Sequence, residues 1–182
     1  MKYRYAFVLL LGIGACSNPA KEAPAGTYYD LESYLEQQIS QLKARNPTVV
    51  KQAGFGKDQE QQTTKGIDWS RELDLFLQAD INKQAYQSSY QKNRPDSLTY
   101  EYRLKAGENL PVQVLRVELD SVTHQPRLVK ATLRTKNSLY ESERNLWLES
   151  EQGVIKRYHI DGFQRLAWLD EKRFLIEGEL KE

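Results

Sequence analysis

The side chains suited to covalent or metal chemistry are few: one cysteine, Cys16, and two histidines, His124 and His159. A thiolate can attack a carbonyl or hold a metal, and an imidazole can shuttle protons or ligate. The surroundings of the histidines narrow this repertoire. His124 sits in the turn-like SVTHQPR beside Pro126, and His159 reads as alternating outward with Ile155 and Arg157 along VIKRYHI. Neither has a second ligand at metal spacing, so both read as solvated or cross-strand groups. No Gly-x-Ser-x-Gly, His-Glu-x-x-His or phosphate loop occurs. Asp80-Ile81-Asn82 lacks the further oxygen ligands of an EF-hand, which leaves helix capping as its expected role. Asp30 and Glu32 do not face each other on a helix and read as helix-start charges. The chain therefore reads as a non-enzyme, with no catalytic residue, metal or cofactor expected.

Aromatic residues are the most suggestive set for binding. Tyr100, Tyr102, Trp147, Tyr158 and Trp168 fall on several predicted strands, and each joins an apolar ring to a polar handle. One reading has them fill the core between a sheet and its helices. The other has them line a groove that accepts an acyl chain or an apolar peptide. The charged positions Arg103, Arg116, Lys130, Arg134 and Arg144, interleaved with Glu101, Glu118, Glu141 and Glu143, suit the wet face of an antiparallel sheet.

The cysteine stands in a different context. Lys2 and Arg4 precede an apolar run from Ala6 to Ile13, far shorter than the ~20 residues a membrane-spanning helix needs. Gly14 and Ala15 follow, the small residues of a signal-peptide cleavage site. Ile13-Gly14-Ala15-Cys16 resembles the lipobox of bacterial lipoproteins, with isoleucine at the usual leucine position. The resemblance implies a signal peptide over 1–15, a diacylglycerol on the Cys16 thiol and often a further acyl group on the new amino terminus. At ~0.8 kcal/mol per buried methylene, two or three chains hold a soluble body at a membrane. Acylation would consume the sole thiol, which excludes disulfides and thiolate chemistry in the monomer. In that family Asp directly after the cysteine retains a protein in the inner membrane. Ser17 and Asn18 stand there instead, which implies the outer membrane of a gram-negative bacterium, lipid-anchored and periplasm-facing.

Composition agrees with a globular body. Removing residues 1–15 takes away Lys2 and Arg4 and no acid, which leaves 24 cationic against 25 anionic side chains. A basic nucleic-acid footprint is missing, and no nucleic-acid partner is expected. Eleven tyrosines and three tryptophans argue for an ordered core. Residues 16–26, with Pro19 and Pro24, read as a flexible tether, and 27–182 as a single α+β domain.

The elements that must position these residues follow from periodicity. Tyr28, Leu31, Leu35, Ile39 and Leu42 recur at helical spacing, Thr27 with Asp30 approximates a capping box, and Asn46-Pro47 stops the helix. TVVKQAGFG is weakly strand-like, and KDQEQQTTKG reads as a polar loop or hairpin arm. Asp68 is expected to cap a helix burying Trp69, Leu73, Phe76 and Leu77, and Asp80 to start a second one through Ala85. From Asp96 the period becomes 2, with a bulge expected between Val114 and Leu115 and a tight hairpin at Asp161-Gly162. The expected fold is α+β: N-terminal helices, then an antiparallel meander of about seven strands curled over them.

In outline this order is similar to the half-barrel proteins that carry lipoproteins to the outer membrane, and LQADINKQAYQSSY resembles a segment of small bacterial lipoproteins of unknown function. Two functions from different classes are then expected. The first is a membrane-anchored, non-catalytic module for an envelope protein partner. The second is a periplasmic carrier or sensor of a hydrophobic ligand, an acyl chain or a lipoprotein.

Overall fold

The computed structural model describes residues 27–181. The signal-like segment, Cys16 and the tether lie outside the described residues. Helix α1, Leu31–Arg45, starts where the Asp30 carboxylate accepts the Ser33 N–H at 3.0 Å, so Asp30 itself is the cap. It ends at Asn46, which adopts a left-handed conformation (φ 45°) and returns its N–H to Leu42 O. A hairpin follows, β1 (Thr48–Phe55) and β2 (Asp58–Thr64), and then two short helices, α2 (Trp69–Glu72) and α3 (Asp74–Gln78). After a 3₁₀ turn at Gln84–Tyr86 comes a seven-strand meander. Its members are β3 (Tyr90–Asn93), β4 (Thr99–Leu104), β5 (Val112–Leu119), β6 (Pro126–Lys136), β7 (Tyr140–Glu151), β8 (Val154–Leu166) and β9 (Lys172–Lys181).

All nine strands form one antiparallel sheet in the order β2-β1-β9-β8-β7-β6-β5-β4-β3. The fold is thus α+β in kind, mostly one large sheet with a few short helices. Two expectations are corrected: the sheet has nine strands, and a hairpin interrupts the helices. β1 matches the weakly strand-like TVVKQAGFG, and of the loop and hairpin arm that KDQEQQTTKG suggests the structure has the hairpin arm; β2 is an edge strand, with Asp58 to Thr63 exposed on both faces. A strand with neither face packed carries no apolar alternation.

Asp161-Gly162 is a third correction, since β8 runs straight through it and turns only after Leu166. Gly162 is there for a close approach: a Cβ would lie 2.1 Å from Glu143 O on β7. The expected bulge does occur, displaced to Val112/Val114. Another shift at Glu149/Ser150 changes the phase at the start of β8, so Ile155 is buried while His159 and Arg157 face outward.

Helices cover one face of the sheet. Leu31, Leu35 and Leu42 of α1, with Trp69, Leu73 and Phe76, meet Leu115, Val117, Val129, Leu146, Leu148 and Tyr158 in one core. Burial of this set is the main stabilising term. Two polar clamps fix α1 at one end of the sheet. Tyr34 Oη and Ser150 Oγ lie 2.7 Å apart, while the buried Gln38 amide donates to Gly153 O and accepts the Ile155 N–H. The opposite end carries the β1–β2, β4–β5, β6–β7 and β8–β9 turns. It is called the free end below.

Candidate functional site

Five aromatic residues were singled out from the sequence, and they are spread over four places. Tyr100 and Tyr102 lie on β4 facing the helices. The Tyr102 ring is 5.2 Å from Tyr28 and its hydroxyl accepts the Tyr29 N–H, while Tyr100 lies between Tyr29 and the Arg94 guanidinium. This cluster holds the start of the described chain against the sheet. Trp147 is on the outer face, edge-on to His159 at 5.0 Å. Trp168 is at the tip of the β8–β9 turn, 93% exposed. Only Tyr158 lies beside a sizeable cleft.

Register explains the position of Tyr158. Lys51, Gly178 and Tyr158 form one row across β1, β9 and β8 on the helix-facing side. A Cβ at Gly178 would fall 2.1 Å from the Tyr158 ring, so the missing side chain is the space in which the phenol lies. From there the hydroxyl donates to Glu72 Oε1 at 2.5 Å, and Lys51 Nζ donates to the same carboxylate at 2.7 Å. Burial, and then the bond to Glu72, push the Tyr158 hydroxyl far above its usual range. It stays a neutral donor. The trio is a clamp between α2 and the sheet, with Glu72 occupied by both partners. Sequence reading found Tyr158 but not Lys51 or Glu72, because their relation depends on strand register.

Beside this clamp opens a cleft of about 510 Å³. Ile67, Leu75, Ile160 and Ile176 give it an apolar floor, and Lys51, Arg71 and Glu72 give it charge. Gln62 and Thr64 of β2 form its outer wall. β2 continues past the helices as the sheet's edge, seven residues in unbroken register with β1. It carries no Lys, Pro or bulge, the usual devices that blunt an edge. The other edge, β3, is only four residues long, contains Lys92 and is followed by Pro95.

The remaining chemistry-bearing groups are structural. Asp80 is buried; its Oδ2 accepts the Asn82 N–H. Desolvation raises its carboxyl above the ordinary range, against the lowering effect of backbone N–H groups of Asn82, Glu32 and Leu31. Asn82 in turn bonds the backbone of Tyr28 and Tyr29. The triplet thus fastens the start of α1, and the helix expected from Asp80 through Ala85 is reduced to the 3₁₀ turn. On the outer face an ion-pair chain runs Arg103–Glu101–Arg116–Glu118–Arg127. Arg144 departs from that face, since it pairs with the buried Leu133 on the helix side. His159 lies between Glu177 at 2.6 Å and Asp161 at 3.2 Å, and His124 sits exposed in its turn at φ 55°.

Among the described residues no helix is long and apolar enough to cross a membrane. Comparison of the chain with family models, with curated proteins and with solved structures gives no match. Its function is therefore argued from its own residues.

Proposed function

We propose that this protein is a non-catalytic envelope lipoprotein, held by an acylated Cys16 at the periplasmic side of the outer membrane, whose folded body docks a protein partner. The membrane part of the reading is supported by the order of charge, short apolar run, small residues and cysteine before Ser17. The docking part is carried by one observation: β2 is a seven-residue edge with no Lys, Pro or bulge, its charges Asp58 and Glu60 near the hairpin turn, beside an amphipathic cleft. An extended partner segment adding to β2 would satisfy the open backbone groups and set alternate side chains beside Gln62 and Thr64, at the rim of the cleft. The continuous core between sheet and helices favours this over a carrier, since an apolar ligand would have to sit in the open cleft among Lys51, Asp68, Arg71, Glu72 and Asp74.

Mass spectrometry of the protein extracted from membranes tests the anchor. A diacylglyceryl group on Cys16 is expected, and an unmodified thiol would end the reading. Docking is tested by proline at Gln61 and, separately, at Gln62. One of the two N–H groups faces away from β1, and that variant should fold normally yet lose a co-purifying partner. Retention of the partner in both folded variants would remove β2 as the docking edge.

A further inference from the structure

The free end presents apolar side chains to water at no benefit to the core. The β6–β7 and β8–β9 turns lie side by side there, joined by the Ala167 N–H donating to Leu139 O at 2.8 Å. They carry Leu139, Leu166, Trp168 and Leu169, which are 60%, 52%, 93% and 60% exposed. Trp168 also holds a left-handed backbone conformation, φ 66°. A bulky residue seldom adopts it, and glycine or asparagine would fit better. Trp168 is thus unfavourable in backbone and in solvation, and it packs on nothing that repays either.

Directly behind this tip, on the outer face, is a cationic band. Arg134 and Lys136 of β6 and Arg165 of β8 all converge on Glu141, the first two at 2.7 and 3.6 Å. Glu143 faces Arg134 across the strands, so the three cations and two carboxylates leave a net charge of +1, and all three cationic side chains remain 45–63% exposed. In the β8–β9 turn itself Asp170 and Glu171 are offset by the adjoining Lys172 and Arg173. An apolar tip ending in tryptophan, backed by cations with exposed guanidinium groups, matches the layering of a bilayer surface: acyl chains, carbonyl region, anionic phosphates.

We propose that the paired β6–β7 and β8–β9 turns insert into the surface of an anionic phospholipid bilayer, with Trp168 at the acyl boundary and Arg134, Lys136 and Arg165 at the phosphates. This contact stands on the tip's geometry and is separate from the acyl anchor and from β2. An anchored Cys16 would keep the tip within reach, because the ten residues from Ser17 to Gly26 extend to ~31 Å at ~3.1 Å each.

The test uses the full chain, extracted from membranes and reconstituted into vesicles of phosphatidylglycerol and phosphatidylethanolamine, or of phosphatidylcholine alone. Emission of the wild type minus that of Trp168→Phe isolates Trp168 from Trp69 and Trp147. On the anionic vesicles this share is expected to shift to the blue, to be quenched by brominated acyl chains and to lose its quenching by iodide. On phosphatidylcholine the shift should be smaller. A Leu166→Ser, Leu169→Ser double variant should lose it. Water-like emission still open to iodide on both vesicle types would overturn the proposal. So would a Trp168 shielded from iodide but untouched by bromolipid, which would place a protein on the tip. The mass of the N-terminal peptide reports the anchor independently, so loss of the anchor and lack of tip insertion are told apart.

Discussion

The two ends of the sheet are built on opposite terms. At the covered end α1 crosses the strands, and even polar side chains there are buried and paired: Gln38 with Gly153 and Ile155, Tyr34 with Ser150. At the free end the turns carry Phe55, Leu139, Leu166, Trp168 and Leu169 exposed. One end uses polar groups to hold a helix and leaves a single large apolar side chain, Val122, in water, while the other leaves five. The difference teaches that exposed area alone is a poor guide to what stabilises this domain. Stability is concentrated at the covered end and the row at Tyr158, and contact with other molecules is proposed for β2 and the free-end turns.

The largest effect that would break this division is predicted at Trp69. It is 1% exposed, and Trp69→Ala should cost ~3–5 kcal/mol, measured as a fall in the denaturant midpoint. A loss near zero would mean that the helices are not part of the core. Next is Gly178→Ala, whose Cβ would meet the Tyr158 ring at 2.1 Å. Displacing the phenol should cost ~1–3 kcal/mol and break its bond to Glu72. Tyr158→Phe keeps the ring but deletes the bond to Glu72, so part of the Gly178→Ala loss should already be present in it.

Acid sharpens the contrast between the two regions. At the free end Glu141, bonded by Arg134 and Arg165, is held down to about 2 from an ordinary value of 4.5. A carboxylate with a lowered folded-state pKa adds stability above 4.5, and that stability is lost as pH falls toward 2. Glu141→Gln should therefore be less stable at neutral pH and lose less between those limits. Asp80, in the helix layer, has the opposite sign. Its raised pKa is a penalty at neutral pH that protonation relieves, so Asp80→Asn should be at least as stable as the wild type at pH 7. Thermal melts across the pH range read both.

The smallest expected change is at Trp168. Replacing it with glycine relieves a left-handed backbone and removes no packing, so stability should stay within about 1 kcal/mol of wild type or rise. A large loss would show that the tip supports the fold.

These contrasts were only partly legible in the sequence. The α1 stripe, the Asp68 cap, the buried Trp69, Leu73 and Phe76, and the alternation of β4, β6 and β9 could all be read, because each has one face packed and one wet. β2 could be read only as either a loop or a hairpin arm, since neither face is packed. Asp161-Gly162 misled because a dipeptide that favours a tight turn also suits a close strand approach, and only the neighbouring strand decides. Four of the five aromatic residues lie on strands that their pattern indicates, while Trp168, expected on a strand, lies in the turn beyond β8; their separate surroundings could not be read. Trp147 and Tyr158 are eleven residues apart on neighbouring strands yet point to opposite faces. Lys51 and Glu72 meet Tyr158 only through tertiary register, which no local pattern encodes.

The helix-facing side holds one continuous core, and on the proposed reading the protein works through its surface and carries no apolar cargo. A shortened chain beginning at Thr27 is expected to fold, since Thr27 O already accepts Lys92 Nζ at 2.7 Å and Tyr28 is buried. Titrating that chain with a fluorescent fatty acid tests the claim most directly. Weak, unsaturable binding with no change in the unfolding midpoint is predicted. Saturable one-to-one binding at low micromolar concentration that raises the midpoint, and is lost when Ile176→Glu places a charge in the cleft floor, would contradict it and make the protein a carrier.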